Sequence, residues 1–205
     1  MFEARDRNAT SSSPARRPSG TAVAALGAVG LASVAGLATA APAEARGHAG
    51  ARAGQHAAAH VFQGGLRDLQ PSRIDPLDGA RARLVFAQHA GSSTFVLVVS
   101  RVAPAGAGKT YGAHLHTGPC VAGDPAAAGP HYNQSTVNGV VPPVVSDQTE
   151  VWLDVTVRPD GRAVAVTHVP FVPAPGNHAI VLHEKATDDH GTAGARLACL
   201  PVSWS

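Results

Sequence analysis

After residue 60, hydrophobic and polar residues alternate with a period of two along much of the chain. This is the period of a β-strand with one buried face. In the segment TEVWLDVTV, every second residue from Val151 to Val157 is Val or Leu, whereas Asp154 and Thr156 lie on the opposite face. Clusters of Gly, Pro and Asp separate such segments and are typical of turns. The pattern predicts strands at residues 81–88, 93–102, 110–116, 149–157, 162–169, 177–183 and 195–203, with a weaker candidate at 60–66.

The composition favours the same class of fold. The chain of 205 residues holds 22 Gly and 16 Pro, with only 4% aromatic and 15% charged residues. No segment after residue 60 keeps a helical period. Short strands with frequent turns and few helices are typical of an all-β, antiparallel sandwich or barrel. We therefore predict one such domain over residues 61–205, which is long enough to bury a single core.

Residues 1–43 have the three parts of a secretory signal peptide. Residues 1–20 are polar and include four Arg, residues 21–38 are uncharged, and the small-residue sites Ala38-Thr39-Ala40 and Ala41-Pro42-Ala43 follow. A membrane span is the alternative, but the uncharged stretch is mostly Ala and Gly and is near the minimum length for a bilayer. We predict a protein that is secreted or retained in the cell envelope, cleaved at one of these sites and not membrane-bound afterwards.

Residues 44–60 form a low-complexity stretch of Ala, Gly, His and Arg. Such a segment holds too little apolar variety to pack, which predicts a flexible linker. Its histidines, His48, His56 and His60, have two interpretations: loose recruitment of metal ions, or solvated tail residues. We favour the second.

The charge balance argues against nucleic acid as a partner. The chain has 16 Lys and Arg against 14 Asp and Glu, a formal net charge of +2, and so lacks the strongly basic character of such proteins. Histidine is the unusual titratable residue, because its eleven copies nearly equal the acidic residues in number. Candidate chemistry therefore lies with the imidazoles.

Three segments bring histidines to positions that suit a shared metal ion. His114-Leu115-His116 lies on a predicted strand, where residues i and i+2 share one face. His131 follows in the turn-rich segment GPHYN, and His183 ends the apolar strand predicted at 177–183. Three or four imidazoles without a nearby thiolate suit copper or zinc.

Four short motifs around these histidines resemble the Cu/Zn superoxide dismutase family. They occur in the family's order and cover about residues 80–203. The resemblance implies a Greek-key β-barrel sandwich of about eight antiparallel strands, with copper on its outer wall. The motifs are Gly112–His116 (GAHLH), Ala128–Asn133 (AGPHYN), His183–Ala186 (HEKA) and Ala193–Cys199 (AGARLAC).

The resemblance also implies roles for individual residues. Arg196 would be the cation beside the copper that guides the anionic substrate. Cys120 and Cys199, the two cysteines of the chain, would form a disulfide, and export would supply the oxidising compartment that such a bond needs. The implied copper ligands are His114, His116, His131 and His183.

The zinc site of typical family members is expected to be absent. Residues 132–167 contain no His, and Val151 stands near the position of the zinc-binding Asp. His168 and His178 do not replace the missing ligands. His178 lies five residues from His183, so the two face opposite sides of one strand.

The loop between the HEK motif and Arg196 is also short. It comprises residues 186–195, ten in all, whereas typical members carry a longer loop that narrows the approach to copper. Loss of both features resembles the copper-only branch of the family. Copper is therefore the one expected metal, in a more open site.

Without zinc, another group must hold the far nitrogen of His131, because metal-bound histidines usually donate their second N–H to a carboxylate, carbonyl or water. Asp147, Glu150 and Asp154 lie nearby in sequence, and we favour Glu150. One of Asp188 and Asp189 resembles the family's aspartate after the HEK motif, displaced by the extra Thr187. Any of these carboxylates is equally compatible with a solvated surface charge.

These observations predict a secreted, copper-dependent superoxide dismutase that converts the superoxide anion into O₂ and H₂O₂, with His131 and Arg196 as catalytic residues. The alternative is a copper-binding or copper-buffering module on the same fold without turnover, which the missing zinc site and the short loop favour. A plain sandwich interaction domain would require four accidental motif matches. A homodimer is compatible with the sequence, but no residue pattern specifies one.

Overall fold

The computed structural model describes residues 58–205, and the regular secondary structure of this range is almost entirely β-strand, paired antiparallel throughout. The all-β prediction is thereby confirmed. The predicted signal peptide at 1–43 and the predicted linker up to residue 57 lie outside the described residues. Within 58–205, no helix is long and apolar enough to cross a lipid bilayer.

Ten strands, one short 3₁₀ turn and one short α-helix follow one another along the described chain. The turn spans Pro104–Gly106 and the helix, α1, spans Gln134–Val137. The strands are β1 Ala59–Gly65, β2 Arg67–Asp68, β3 Arg81–His89, β4 Ser92–Ser100, β5 Thr110–Tyr111, β6 Ala113–His116, β7 Val155–Thr156, β8 Ala163–Val169, β9 Gly176–His183 and β10 Arg196–Trp204.

The strands form two four-stranded sheets and one two-stranded ladder. Sheet A has the strand order β1-β3-β4-β8, sheet B has the order β2-β10-β9-β6, and β5 pairs with β7. In both large sheets some neighbours are distant in sequence, so the chain crosses between sheets. The motifs containing histidine lie on sheet B and the loops that connect to it.

The main hydrophobic core lies between the two sheets. In β4, burial alternates residue by residue, because one face of sheet A packs inward and the other meets water. Phe86 and Phe95 are fully buried and stack in this core with ring centroids 4.6 Å apart. Their counterparts from sheet B include Leu115, Ile180 and Leu182.

Sheet B also has a second, smaller core on its outer face. This outer core contains Ala179 and Val181 from β9, together with residues of the segment 117–133 that crosses over them. Sheet B is consequently covered on both sides. The members of the outer core are Leu69, Cys120, Ala128, Ala179, Val181 and Cys199.

The strand predicted at 110–116 is broken at Gly112 into β5 and β6, which pair with different partners. A Cβ on Gly112 would lie 2.6 Å from the Cβ of Ala193 and 2.9 Å from the carbonyl oxygen of Lys185. Only glycine allows the 186–195 loop to approach the backbone this closely. The break thus brings that loop next to the histidines of β6.

The strand predicted at 149–157 is shorter than expected. Regular pairing is limited to β7, with single bridges from Trp152 to His114 and from Glu150 to Asn133. The predicted apolar face is nevertheless correct, because every second residue from Val151 to Val157 is buried. The alternation of apolar and polar residues indicates which side chains face the core. Hydrogen-bonded pairing between strands depends instead on where the partner strand lies.

The first strand includes the last residues of the stretch predicted as a linker. Strand β1 starts at Ala59, and His60 within it is half-buried. Its ring stacks near Phe86 at a centroid distance of 5.5 Å. His60 is therefore a packed residue of the sandwich, contrary to its interpretation as a solvated tail histidine.

Candidate metal centre

Four histidines converge on one point on the outer side of sheet B. Strands β6 and β9 are adjacent and antiparallel, so the outward-facing His114 and His116 of β6 lie beside His183 at the end of β9. His131 reaches them from the loop, where its backbone forms a bridge with His116. One ring nitrogen from each of the four lies within 4.8 Å of the others. The structure thus brings together all four histidines that the sequence singled out.

Three of the four rings present the same nitrogen to the centre. The Nε2 atoms of His116 and His183 are 3.2 Å apart, while their Nδ1 atoms face backbone carbonyl oxygens, of Gly129 at 3.0 Å and Gly194 at 3.2 Å. The Nδ1 of His131 likewise faces a carboxylate. An N–H that donates outward leaves the inner Nε2 with a lone pair for a metal ion.

His114 is oriented the opposite way. Its Nε2 lies 2.7 Å from the hydroxyl of Thr187, and its Nδ1 is fully buried without any hydrogen-bond partner. Leaving a buried polar atom unpaired is costly. A metal ion held by this nitrogen and the three Nε2 atoms would remove that cost, so the donor set fits copper or zinc.

Burial keeps these imidazoles neutral. It lowers the pKa of His114 and His116 to about 2, with neighbouring imidazoles adding to the shift. Burial is also the main reason that the pKa of His183 falls to about 4. At neutral pH the three rings therefore carry free lone pairs rather than competing protons.

Glu150 holds the outer nitrogen of His131, as the sequence favoured. The residue is only 4% exposed, and its Oε2 accepts hydrogen bonds from His131 Nδ1 at 3.0 Å and from Trp152 Nε1 at 2.9 Å. Its Oε1 accepts from Asn133 Nδ2 at 3.1 Å. Burial raises the pKa of this carboxyl, but the three hydrogen bonds outweigh it and hold the pKa below its ordinary value.

The other carboxylates considered in the sequence take different positions. Asp147 is exposed. Asp154 contacts Thr187 rather than His131, accepting from its hydroxyl at 2.5 Å and from its backbone N–H at 2.8 Å. Asp188 is exposed, and its Oδ1 accepts from the backbone N–H groups of His190 and Thr192 within its own turn. The expectation that Asp188 supports the metal site is therefore wrong, because its carboxylate closes a surface turn.

Arg196 lies at the edge of the histidine cluster. It begins β10 and pairs in register with His183, and its NH1 donates to the carbonyl oxygen of Pro125 at 2.6 Å. Its charge contributes, after burial, to the lowered pKa of His116 and His183. The guanidinium is thus half-buried beside the site and is held there by the 117–133 segment.

The disulfide anchors that same segment. Cys120 is bonded to Cys199 of β10 across 79 residues of sequence, with their Cα atoms 5.7 Å apart. Arg67 NH1 donates to the carbonyl oxygen of Cys120 at 2.7 Å. The anchored segment carries Gly129 and Pro125, whose carbonyl oxygens hold His116 and Arg196. The disulfide therefore stabilises the loop that orients both residues.

His168 and His178 do not join the cluster. His168 is exposed on the outer face of sheet A. His178 is buried on the inner side of sheet B, where its ring nitrogens lie 3.0 Å from the carbonyl oxygens of His116 and Ala174. Its ring stacks on Trp204 at a centroid distance of 4.6 Å. As expected from its spacing, it faces away from His183.

Sequence reasoning missed three polar residues around the site: Asn133, Trp152 and Thr187. Asn133 also caps helix α1 by accepting from the N–H groups of Ser135 and Thr136. One local signal was available, since Asn133 directly precedes the short helix and is a favoured N-cap residue. No local pattern pairs Thr187 with Asp154, which is 33 residues away.

Comparisons with known proteins return structures only. No protein-family model matches this chain, and no curated protein matches it. One similar structure is the clock protein EA4, with 18% sequence identity, a TM-score of 0.48 and coverage of 71% of this chain and 92% of that one. Another is a double mutant of a SOD-like protein from Bacillus subtilis, with 21% identity, a TM-score of 0.49 and coverage of 71% and 97%. The chemistry of the site therefore rests on the residues of this chain and their geometry.

Proposed function

We propose that this protein is a copper-dependent superoxide dismutase that resembles the copper-only branch of the Cu/Zn superoxide dismutase family. One observation carries the proposal: four buried or half-buried imidazoles converge within 4.8 Å, and the outer nitrogen of each has a hydrogen-bond partner. Such outer partners fix the tautomer of metal-binding histidines. An all-imidazole donor set suits copper.

Bound at this site, copper would supply one-electron exchange between its two oxidation states, so that two superoxide anions and two protons yield O₂ and H₂O₂. Arg196 supports the choice of an anionic substrate. Its cation lies half-buried beside His116 and His183, where a positive charge raises the local concentration of anions. Its tether to Pro125 keeps the charge at the rim and out of the cluster.

His131 and Glu150 together take the place of a zinc site in this proposal. The proton on His131 Nδ1 is directed at the Glu150 carboxylate, which leaves Nε2 facing the other three rings. His131 is also the most exposed of the four histidines. It is therefore the one best placed to exchange a proton with solvent and substrate.

The central experiment compares two histidine variants on the same fold. His116→Ala removes a buried ring of the cluster, while His168→Ala removes an exposed ring on the outer face of sheet A. After copper loading, the parent and His168→Ala should each bind one copper ion with nitrogen ligands by electron paramagnetic resonance and should accelerate superoxide decay. His116→Ala should lose both properties. An unchanged copper spectrum in His116→Ala would rule out the proposed site.

Copper buffering without turnover is the second candidate, favoured by the ten-residue loop at 186–195, which narrows the approach to the site little. Stopped-flow decay of superoxide with the copper-loaded parent separates the two. Stoichiometric copper with no acceleration of decay would support buffering. Loading with both metals tests the expected absence of a zinc site. One saturable zinc ion per chain beside the copper would contradict that absence.

We also propose that the protein is exported. The 1–43 segment has the pattern of a signal peptide, and the disulfide suits an oxidising compartment. Mass spectrometry of the mature protein from its native host should find an N-terminus after Ala40 or Ala43. Recovery of the intact chain from the cytoplasm would contradict export.

A further inference from the structure

His114 differs from the other three histidines of the cluster in which nitrogen it turns inward. The others place Nδ1 outward, whereas His114 places Nε2 outward, 2.7 Å from Thr187 Oγ1. Its inward Nδ1 is buried and has no partner. Something outside the ring must therefore determine which nitrogen of His114 carries the proton.

The hydrogen bonds of Thr187 give that answer. An ionised carboxylate can only accept hydrogen bonds, and Asp154 accepts two from Thr187, one from its hydroxyl at 2.5 Å and one from its backbone N–H at 2.8 Å. The single hydroxyl proton of Thr187 is thus committed to Asp154. Its oxygen can then only accept from His114, which requires the proton of His114 to be on Nε2.

We propose that Thr187 and Asp154 are positioning residues that hold His114 with its proton on Nε2 and its Nδ1 lone pair directed at the metal. The proposal rests on the proposed function only for the identity of that metal. Thr187 lies in the 186–195 loop and Asp154 directly precedes β7, so two segments distant in sequence meet at Thr187, which contacts the His114 ring. The direction of the Thr187 bonds gives the tautomer, and the orphaned Nδ1 is the atom that this tautomer leaves with a free lone pair beside the other three rings.

A purely structural role is the competing explanation, in which Thr187 and Asp154 only fasten the loop. The loop is indeed packed tightly here, because a Cβ on Gly112 would lie 2.9 Å from Thr187 Oγ1. Fastening alone makes no demand on the proton of His114. The tautomer of that ring therefore distinguishes the two explanations.

The first experiment measures the tautomer directly in metal-free protein, using long-range ¹H–¹⁵N correlation spectra of the histidine rings. The parent should show His114 protonated on Nε2. Thr187→Ser keeps the hydroxyl and should show the same tautomer, whereas Thr187→Val removes it and should give a mixture or the Nδ1–H form. Protonation of His114 on Nδ1 in the parent would overturn the proposal, as would an unchanged pure Nε2–H tautomer in Thr187→Val.

The second experiment measures copper affinity by competition with a chelator. Thr187→Val should weaken binding by about 10- to 100-fold, the usual effect of losing a hydrogen bond to a metal-binding histidine, and should alter the Cu(II) paramagnetic resonance spectrum. Thr187→Ser should stay close to the parent. Thr110→Val is the matched control, because Thr110 is also a half-buried threonine whose hydroxyl pairs with Thr156; its copper affinity should not change.

A second variant protects the test against misfolding of Thr187→Val. Asp154→Asn keeps the shape of the side chain but leaves one acceptor oxygen for the two donors of Thr187. It should shift the His114 tautomer and weaken copper binding in the same direction. Parental affinity in both folded variants would overturn the proposal. A parent that binds no copper would defeat the proposed function, while the tautomer measurement would still decide this inference.

Discussion

The outer faces of the two large sheets differ in how far other segments of the chain cover them. In β4 of sheet A, buried and half-buried residues alternate, whereas the last six residues of β9 in sheet B are all buried. The cover over sheet B consists of the disulfide-anchored 117–133 segment and the loops around it. The four-histidine cluster lies on this covered face of sheet B. Burial there favours neutral imidazoles, and the covering loops hold the rings in the positions where they converge.

Apolar residues alone do not create such a cover. Across the outer face of sheet A, four valines lie in register on its four strands, yet those on the two edge strands remain exposed. The difference between the sheets therefore comes from the loops that follow β6 and β9. The four valines are Val61, Val85, Val96 and Val166.

The largest expected effect comes from removing the anchor of that cover. Replacing both Cys120 and Cys199 with Ala opens a loop of 79 residues and should reduce the free energy of unfolding by about 2–5 kcal/mol. Urea unfolding of the metal-free protein measures it. The control is Val61→Ala with Val166→Ala on sheet A, which should each cost under about 0.5 kcal/mol. Equal midpoints for the cysteine variant and the parent would contradict the anchor role.

A matched pair of valines tests the two faces directly. Val181→Ala, in the outer core of sheet B, should cost about 2 kcal/mol, because it removes fully buried methyl groups and leaves a cavity. Val96→Ala, on the outer face of sheet A, should cost under about 0.5 kcal/mol. Thermal and urea unfolding of both variants checks the difference. Similar losses in the two would mean that the sheets are not covered differently.

Glu150→Gln tests whether the covered face also tunes the site. Gln keeps one acceptor oxygen but loses the charge, so copper affinity should fall by about tenfold, at the lower end for groups that orient metal-binding histidines. Glu184→Gln is the control, since that side chain forms an ion pair with Arg73 at the surface. Competition with a chelator measures both affinities. Equal losses in the two variants would remove the special role of Glu150.

The smallest effect is expected at the rim. Arg196→Ala should leave copper content intact while slowing superoxide decay by about threefold and flattening its dependence on ionic strength, because one guiding charge is lost. Arg83→Ala, an exposed arginine on sheet A, is the control and should change neither quantity. Stopped-flow rates at two salt concentrations decide. An unchanged rate and salt dependence for Arg196→Ala would contradict its role in guiding the anion.

Much of the fold could be predicted because its signal is local. The alternation of residues 81–88 and 93–102 corresponds closely to β3 and β4, since one buried face imposes a period of two on the side chains. The break at Gly112 and the two-residue strand β2 could not be predicted this way. Both depend on which backbone passes nearby, such as Lys185 against Gly112.

In the candidate site, too, some positions could be predicted from local sequence and others could not. The H-x-H spacing placed His114 and His116 on one face, and the order of the motifs brought His131 and His183 to the same set. Glu150 was favoured from its position near His131 in sequence, and the structure places it there. Asp188 was misplaced, because its sequence position after the HEK motif carries no information on the turn that its carboxylate closes.

Residue order alone thus determined the alternating strands and the candidate histidines, since these depend on spacing and residue type, and the resemblance to a known family implied the set of four ligands and the cysteine pair. Only the tertiary structure decided which face of sheet B is covered, which nitrogen of each ring faces inward, and that Thr187 and Asp154 meet at His114. The physical reason is the distance along the sequence over which each kind of signal acts. Side-chain direction repeats along a strand, but a hydrogen-bond partner is set by whichever segment packs against it. Here the partner of His114 is Thr187, which is itself held by Asp154, 33 residues away in sequence.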